Sequence, residues 1–242
     1  MIKNQYQKFN KHYVKKNKKI IIKDYFKHAL KLINKKYNKN NTFSLMDAGC
    51  ASGFFLDYIS KSYNKVKLAG LDFSSELLKI AKKDYPFIKF FNRNLLHRKL
   101  KKVDQSYDIT TCLGTLHAFD NIKVPLKNLF AITKKGGTII VFTLVNKHDV
   151  NVISRYQKNY GTDRTWYTAF NNFSKPYWFQ TIKSIDKNCN IKFHKFALKK
   201  PLKKRKDPMR SWTINYGSVK NQLTVGTSQL LSYNLIEIKV SK

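Results

Sequence analysis

From residue 43 onward, short apolar runs alternate with segments whose apolar residues recur every three or four positions. The first run, FSLM at 43–46, lies between a polar stop at 38–41 and the acid-glycine sequence Asp47-Ala48-Gly49. A short continuous apolar run bounded in this way predicts a strand covered on both faces. Leu56, Tyr58 and Ile59 then share one face of a helix over 54–62. Residues 67–72 predict a second strand. A second helix follows, with Ser74 or Ser75 as its N-cap and Leu77, Leu78 and Ala81 on its buried side. Residues 88–91 give a short third strand, 107–113 a fourth, and 138–144 a fifth that is apolar throughout. Between the last two, Leu126, Leu129, Phe130 and Ile132 predict a helix over 124–133. Lys134 and Lys135 would suit its dipole, and Gly136-Gly137 would end it. Upstream, Tyr25, Phe26, Ala29, Leu30, Leu32 and Ile33 predict a helix over 23–37.

This β-α alternation implies a parallel sheet with right-handed crossovers. Its ligand crevice would lie at the carboxyl ends of the strands, near the switch point between the first and fourth. The pattern breaks after 147. Residues 148–186 are rich in aromatic side chains, among them Tyr156, Trp166, Tyr167, Phe170, Phe173 and Trp178, with Asp163 and Arg164 in their company. Such a group suits either stacking on a flat or sugar ring or a small satellite core. Residues 191–198 predict a strand, 212–216 and 222–227 a hairpin around Gly217, and 233–240 a final strand. There is no internal repeat, and the 242 residues read as a single domain over 1–242.

Charge adds a second theme. The chain carries 48 Lys+Arg against 14 Asp+Glu, a formal net charge of +34. Such a balance attracts polyanions such as nucleic acid or an anionic lipid surface. Lysine far outnumbers arginine, however, and is interleaved with Asn and Ile in every segment, as an AT-rich coding sequence would produce. The densest run, KKPLKKRKDPMR at 199–210, reads as a solvated loop or as a contact with an anionic surface. With 42% hydrophobic residues the chain is one that folds. Cys50, Cys112 and Cys189 show neither a C-x-x-C nor a zinc spacing. They read as reduced thiols of a cytoplasmic protein, with Cys50 and Cys112 as small packing residues. The apolar stretches fall short of a bilayer span, and the basic N-terminus has no apolar core of the secretory type.

Chemistry concentrates at the first strand end. Asp47, Gly49 and Gly53 form D-x-G-x-x-x-G, a glycine turn against which a ligand can lie on bare backbone. A dinucleotide fingerprint would need glycine at 51 and 54, where Ala51 and Phe54 stand, and no Gly-Lys-Ser/Thr follows to make a P-loop. Asp72 closes the second strand nineteen residues beyond Gly53, where a carboxylate can accept from two vicinal ribose hydroxyls. Asn94 follows the third strand and His117 the fourth, so Asp47, Asp72, Asn94 and His117 would converge on one rim.

Together with the KKGGTIIVF run at 134–142, these motifs resemble class I S-adenosylmethionine (SAM)-dependent methyltransferases of the small-molecule type. The likeness is good over about 41–145 and general elsewhere. It implies a seven-stranded, mostly parallel Rossmann-like sheet with helices on both faces and a cap insertion. Residues 1–41 would form a helical lid, 42–147 the SAM-binding core, 148–190 the cap and 191–242 the closing strands. It implies that Asp47, Gly49, Cys50, Ala51 and Gly53 hold the methionine end of SAM, and that Asp72 and Phe73 lie at the ribose. Asn94 and Leu95 would lie at the adenine, Asn94 where the family often has Asp, with Leu113 and Gly114 beneath the methionine moiety and near the reacting centre, and Tyr13 as an aromatic cover. His117 is the candidate general base, and no metal is implied. The expected reaction is methyl transfer to oxygen or nitrogen of a small molecule or of a glycan or lipid intermediate. RNA is the alternative acceptor, less favoured because the fourth strand continues LGTL without an Asn/Asp-Pro-Pro-aromatic run. A SAM-binding protein without chemistry is the remaining alternative.

Overall fold

The computed structural model describes residues 2–4, 22–97, 100, 106–157 and 165–241. Its centre is a seven-stranded sheet. Strands β2 (Phe43–Ala48), β3 (Val66–Asp72), β4 (Lys89–Asn92), β5 (Tyr107–Leu113), β6 (Thr133–Asn146), β10 (Asn190–Lys195) and β14 (Tyr233–Lys239) lie in the order β10-β14-β6-β5-β2-β3-β4. Neighbours from β4 to β6 are parallel, and β14 runs antiparallel to both β6 and β10. The order reverses between β2 and β5, which places the switch point at the ends of those two strands.

Period-two alternation sends each strand's apolar residues to two faces. Leu45, Ile109, Ile140 and Phe142 pack with Phe26, Ala29 and Ile33 of α1 (Asp24–Asn34), Leu56 and Ile59 of α2 (Phe54–Ser60), and Leu78 and Ala81 of α3 (Ser75–Asp84). Met46, Leu71, Cys112, Ile139 and Val141 face Leu126 and Leu129 of α4 (Lys123–Ala131) and Trp178 and Ile182 of α5 (Lys175–Lys183). Helices therefore cover both faces, as the resemblance implied. Ser74 caps α3 by accepting from Leu77 N, and Ser174 caps α5 by accepting from Tyr177 N.

Three expectations are corrected. The helix expected over 124–133 ends at Ala131, and the lysine-glycine run belongs to β6. Tyr107 N already donates to Ile132 O at 2.9 Å, and Thr133 Oγ1 bonds Thr110 Oγ1 and Leu129 O, each at 2.7 Å. These bonds tie the chain to β5 before the lysines, and Lys134–Gly136 arch outward where the register shifts. The insertion after β6 is not one cap. Residues β7 (Arg155–Gln157) and β8 (Trp166–Thr168) form a small sheet with β1 (Ile2–Asn4), and β9 (Phe173–Ser174) extends β6, but α5 is part of the helical layer behind the main sheet. The tail also divides. β10 and β14 complete the main sheet, whereas β11 (Trp212–Tyr216), β12 (Val219–Thr224) and β13 (Leu230–Leu231) make a separate three-stranded sheet.

Candidate active site

The turn after β2 is held in an uncommon shape. Gly49, Ala51 and Gly53 have φ of 82°, 50° and 84°. A Cβ on Gly49 would lie 2.4 Å from Thr115 Oγ1, so glycine is required there by space as well as by φ. Gly49 N and Cys50 N both donate to Leu71 O, at 2.8 and 3.0 Å, and fasten the turn to the end of β3. Asp72 is fixed in the same corner. Its Oδ2 accepts from Ala51 N and its Oδ1 from Ser74 N, both at 2.9 Å. Asn92 Nδ2 holds the neighbouring carbonyls of Asp72 and Phe73 at 3.2 and 2.9 Å. Each Asp72 oxygen retains acceptor capacity beyond its backbone bond. Burial raises the Asp72 pKa, against the hydrogen bonds from Ser74, Ala51 and Phe73 that favour its ionised form.

Asp47 lies on the side of the sheet that faces α1 and α2, directly beside Thr111 in the β2–β5 register. Thr111 Oγ1 donates to its Oδ1 at 2.7 Å. Burial pushes the Asp47 carboxyl up to about 7, the Asp72 charge adds to this, and Lys23 opposes it. Asp47 lines a small cleft together with Lys23, Tyr25, Gly49, Ala51 and Leu113 among others, and Asp72 holds the backbone of Ala51 at its edge. Lys23 Nζ donates to Tyr25 OH at 2.9 Å, and the Tyr25 ring stacks on Phe142 at 4.5 Å.

The other expected residues fall as follows. Cys50 also lines the cleft, but burial pushes its thiol far up, so it packs as a small apolar group. Gly114 has φ of 81° with open space where a side chain would be. Phe73 is exposed at the end of β3. Asn94 uses its Oδ1 to accept from Leu96 N at 2.9 Å, a local turn bond, while Leu95 is buried with the α4 core residues. His117 sits in a short 3₁₀ turn, Leu116–Ala118, 5.7 Å from the Phe170 ring and 5.8 Å from Tyr233. Burial lowers its pKa to about 4, so its imidazole is neutral and a weak proton acceptor at neutral pH. Tyr13, Asp163 and Arg164 lie outside the described residues.

Sequence reasoning missed Lys23, Tyr25, Asn92, Thr111 and Thr115. Tyr25 had been counted among the apolar set of a helix, and nothing local marks it. Thr111 carried a usable signal, because a hydroxyl in an apolar fourth strand stands beside Asp47 once the two strands are paired. Also missed was Asp120, which binds Arg155 through both carboxylate oxygens at 3.0 and 2.5 Å and accepts from Thr168 and Asn171, each at 3.0 Å. This cluster ties the loop after β5 to the small sheet. Among the described residues no group of His, Cys, Asp or Glu could hold a metal ion.

Residues 46–139, from the middle of β2 into β6, match a family model described as a methyltransferase domain. The match covers about two fifths of the chain, and the fold around it is the one that Rossmann-like methyltransferases share. A malonyl-[acyl-carrier protein] O-methyltransferase of Hamiltonella defensa is 32% identical over 100 residues, 41% of this chain and 37% of that protein. The mitochondrial ubiquinone biosynthesis O-methyltransferase of Dictyostelium discoideum is 25% identical over 217 residues, 79% of this chain and 65% of that protein. The match thus spans well under two thirds of the Hamiltonella protein's length. In fold, the chain resembles the N-methyltransferase NodS of Bradyrhizobium japonicum, solved with S-adenosyl-L-homocysteine. The TM-score is 0.58 at 9% identity, with 99% of this chain and 100% of that one covered.

Proposed function

We propose that this chain is a SAM-dependent methyltransferase whose acceptor is a small molecule or a glycan or lipid intermediate, methylated on oxygen or nitrogen. The observation that carries this reading is the corner where Asp47 lines a cleft beside a glycine turn whose backbone the Asp72 carboxylate holds. The residues fit the cofactor. Asp72 has acceptor capacity for two ribose hydroxyls, and Asp47, pushed up to about 7 by burial, is short of positive charge in a way that a cationic amino acid group would relieve. When bound, SAM supplies an electrophilic methyl group on a sulfonium. The protein's share is then to position the acceptor, exclude water and hold charge.

The O-methyltransferase relatives favour an oxygen acceptor, and the state of His117 bears on which oxygen. A neutral, weakly basic imidazole suits an acceptor that arrives already ionised, such as a carboxylate, and takes the place of packing and orientation in this reading.

Two measurements test the proposal. Calorimetry with S-adenosylhomocysteine should show micromolar binding that Asp72→Ala weakens at least tenfold; unchanged affinity would remove the ribose assignment. In a cell extract, methyl label from SAM should enter an organic-soluble or glycan fraction, whereas label confined to RNA would transfer the reading to the nucleic-acid acceptor.

A further inference from the structure

After Phe196, which packs on Phe142, the segment that follows β10 leaves the main sheet. Asp207 is the sole acid between Asp186 and Glu237, and its Oδ1 is engaged by Met209 N at 3.1 Å. Residues 199–206, KKPLKKRK, are exposed throughout. They lie along the β11–β12 hairpin. Leu202 N donates to Thr213 Oγ1 at 2.9 Å, Thr213 N donates to Leu202 O at 3.0 Å, and the Lys204 ammonium sits 5.0 Å from the centre of the Trp212 ring. At the hairpin's tip Ile214, Tyr216 and Val219 are exposed, with Tyr216 59% accessible and paired directly across from Val219. Leu202 is exposed as well. The other end of this sheet is anchored: Val225 and Leu231 are buried in the same core cluster as Phe142 and Tyr233.

An anchored hairpin therefore presents exposed apolar side chains at its tip and a lysine-rich loop along its β11 strand. Exposed apolar side chains grouped in this way mark an interaction surface. Aliphatic groups with a tyrosine suit the boundary between acyl chains and headgroups, and lysines suit the anionic headgroups above it. Single-stranded RNA would ask instead for a series of free ring faces. Here Lys204 covers one face of the Trp212 ring, leaving the tip with Tyr216. We propose that the β11–β12 tip and the 199–206 loop dock this protein on an anionic lipid surface. The proposal does not depend on the methyl-transfer reading.

The test is co-sedimentation of the full chain with phosphatidylcholine vesicles, with and without phosphatidylserine. Binding should require phosphatidylserine. It should fall about tenfold in the double variant Ile214→Ser/Val219→Ser, which removes apolar contact at constant charge. It should fall similarly in Lys203→Gln/Lys204→Gln/Lys206→Gln and stay within about twofold in Lys79→Gln/Lys82→Gln/Lys83→Gln on α3, which lowers the net charge by the same amount. A Tyr216→Trp reporter should shift its emission to the blue on vesicles and be quenched by brominated lipid. Equal losses in the two lysine triples, wild-type binding by the apolar double variant, or a reporter indifferent to vesicles would overturn the proposal. So would tighter binding of a short single-stranded RNA that the same tip and loop variants abolish.

Discussion

Asp47 is the residue with most at stake. A carboxyl raised from 3.8 to about 7 corresponds to about 4 kcal/mol against its ionised form. Because the folded value is the higher one, its contribution to stability is fully present below about pH 4 and is lost as pH rises through 7. Thr111 can donate to an amide oxygen as readily as to a carboxylate, so Asp47→Asn keeps that bond while removing the charge. The variant without ligand should be more stable than the parent at pH 8, by up to about 4 kcal/mol in urea unfolding, and nearly equal to it at pH 4. Its affinity for S-adenosylhomocysteine should fall at the same time. A variant less stable than the parent at pH 8 would mean that the buried charge is compensated by groups other than Lys23. The acid itself was legible in the sequence, since it closes an apolar run ahead of two glycines. Its protonation was not, because that depends on Asp72, Thr111 and Lys23, which only the fold brings near.

At the scale of the element, the turn after β2 and the end of β5 carry two glycines with almost equal φ, 82° at Gly49 and 81° at Gly114, in different surroundings. Gly49→Ala must strain the backbone and also drive a methyl into Thr115, whereas Gly114→Ala meets nothing within 4 Å. The expected loss in thermal or urea unfolding is about 1–2 kcal/mol at Gly114 and clearly more at Gly49. Equal losses would mean that the Thr115 loop yields freely. The elements most legible in the sequence were those with one dominant signal. β5 is legible at 107–113, where the structure has it, because Tyr107, Ile109, Cys112 and Leu113 with two β-branched threonines stand between a polar stretch and Gly114. The start of β6 was misjudged because a lysine pair followed by glycines is also how a helix ends, and only the partner strand distinguishes the two. Asn94 was ambiguous for the same kind of reason: a side-chain amide after a strand serves a turn as well as a ligand.

The whole molecule has to fold against its own charge. With a net +34, mutual repulsion opposes compaction, and ion pairs such as Lys61–Asp57 and Lys134–Asp108 offset only a part of it. Added salt screens repulsion between exposed lysines over about 10 Å at 0.1 M. The melting temperature should therefore rise by several degrees between low and moderate sodium chloride, and a fall would show that attractive pairs outweigh the general repulsion. At this scale the sequence conveyed the parallel core well, because each βα unit is local. Of the two small sheets, the hairpin around Gly217 was legible, but the sheet of β1, β7 and β8 was not. β1 pairs with β8 across more than 160 residues, and the hairpin at 212–224 carries no mark of which sheet it will join.

The antiparallel β14 has a consequence for how the chain is made. It lies between β6 and β10, both of which precede it in the chain, and pairs with each along its length. While a ribosome is still adding residues 196–232, every other strand of the main sheet has been synthesised, yet a slot one strand wide remains where Ile236 and Ile238 will be buried. Until that slot is filled, the flank of β6 is an open pairing edge, a template for a neighbouring nascent chain or a hold for a chaperone.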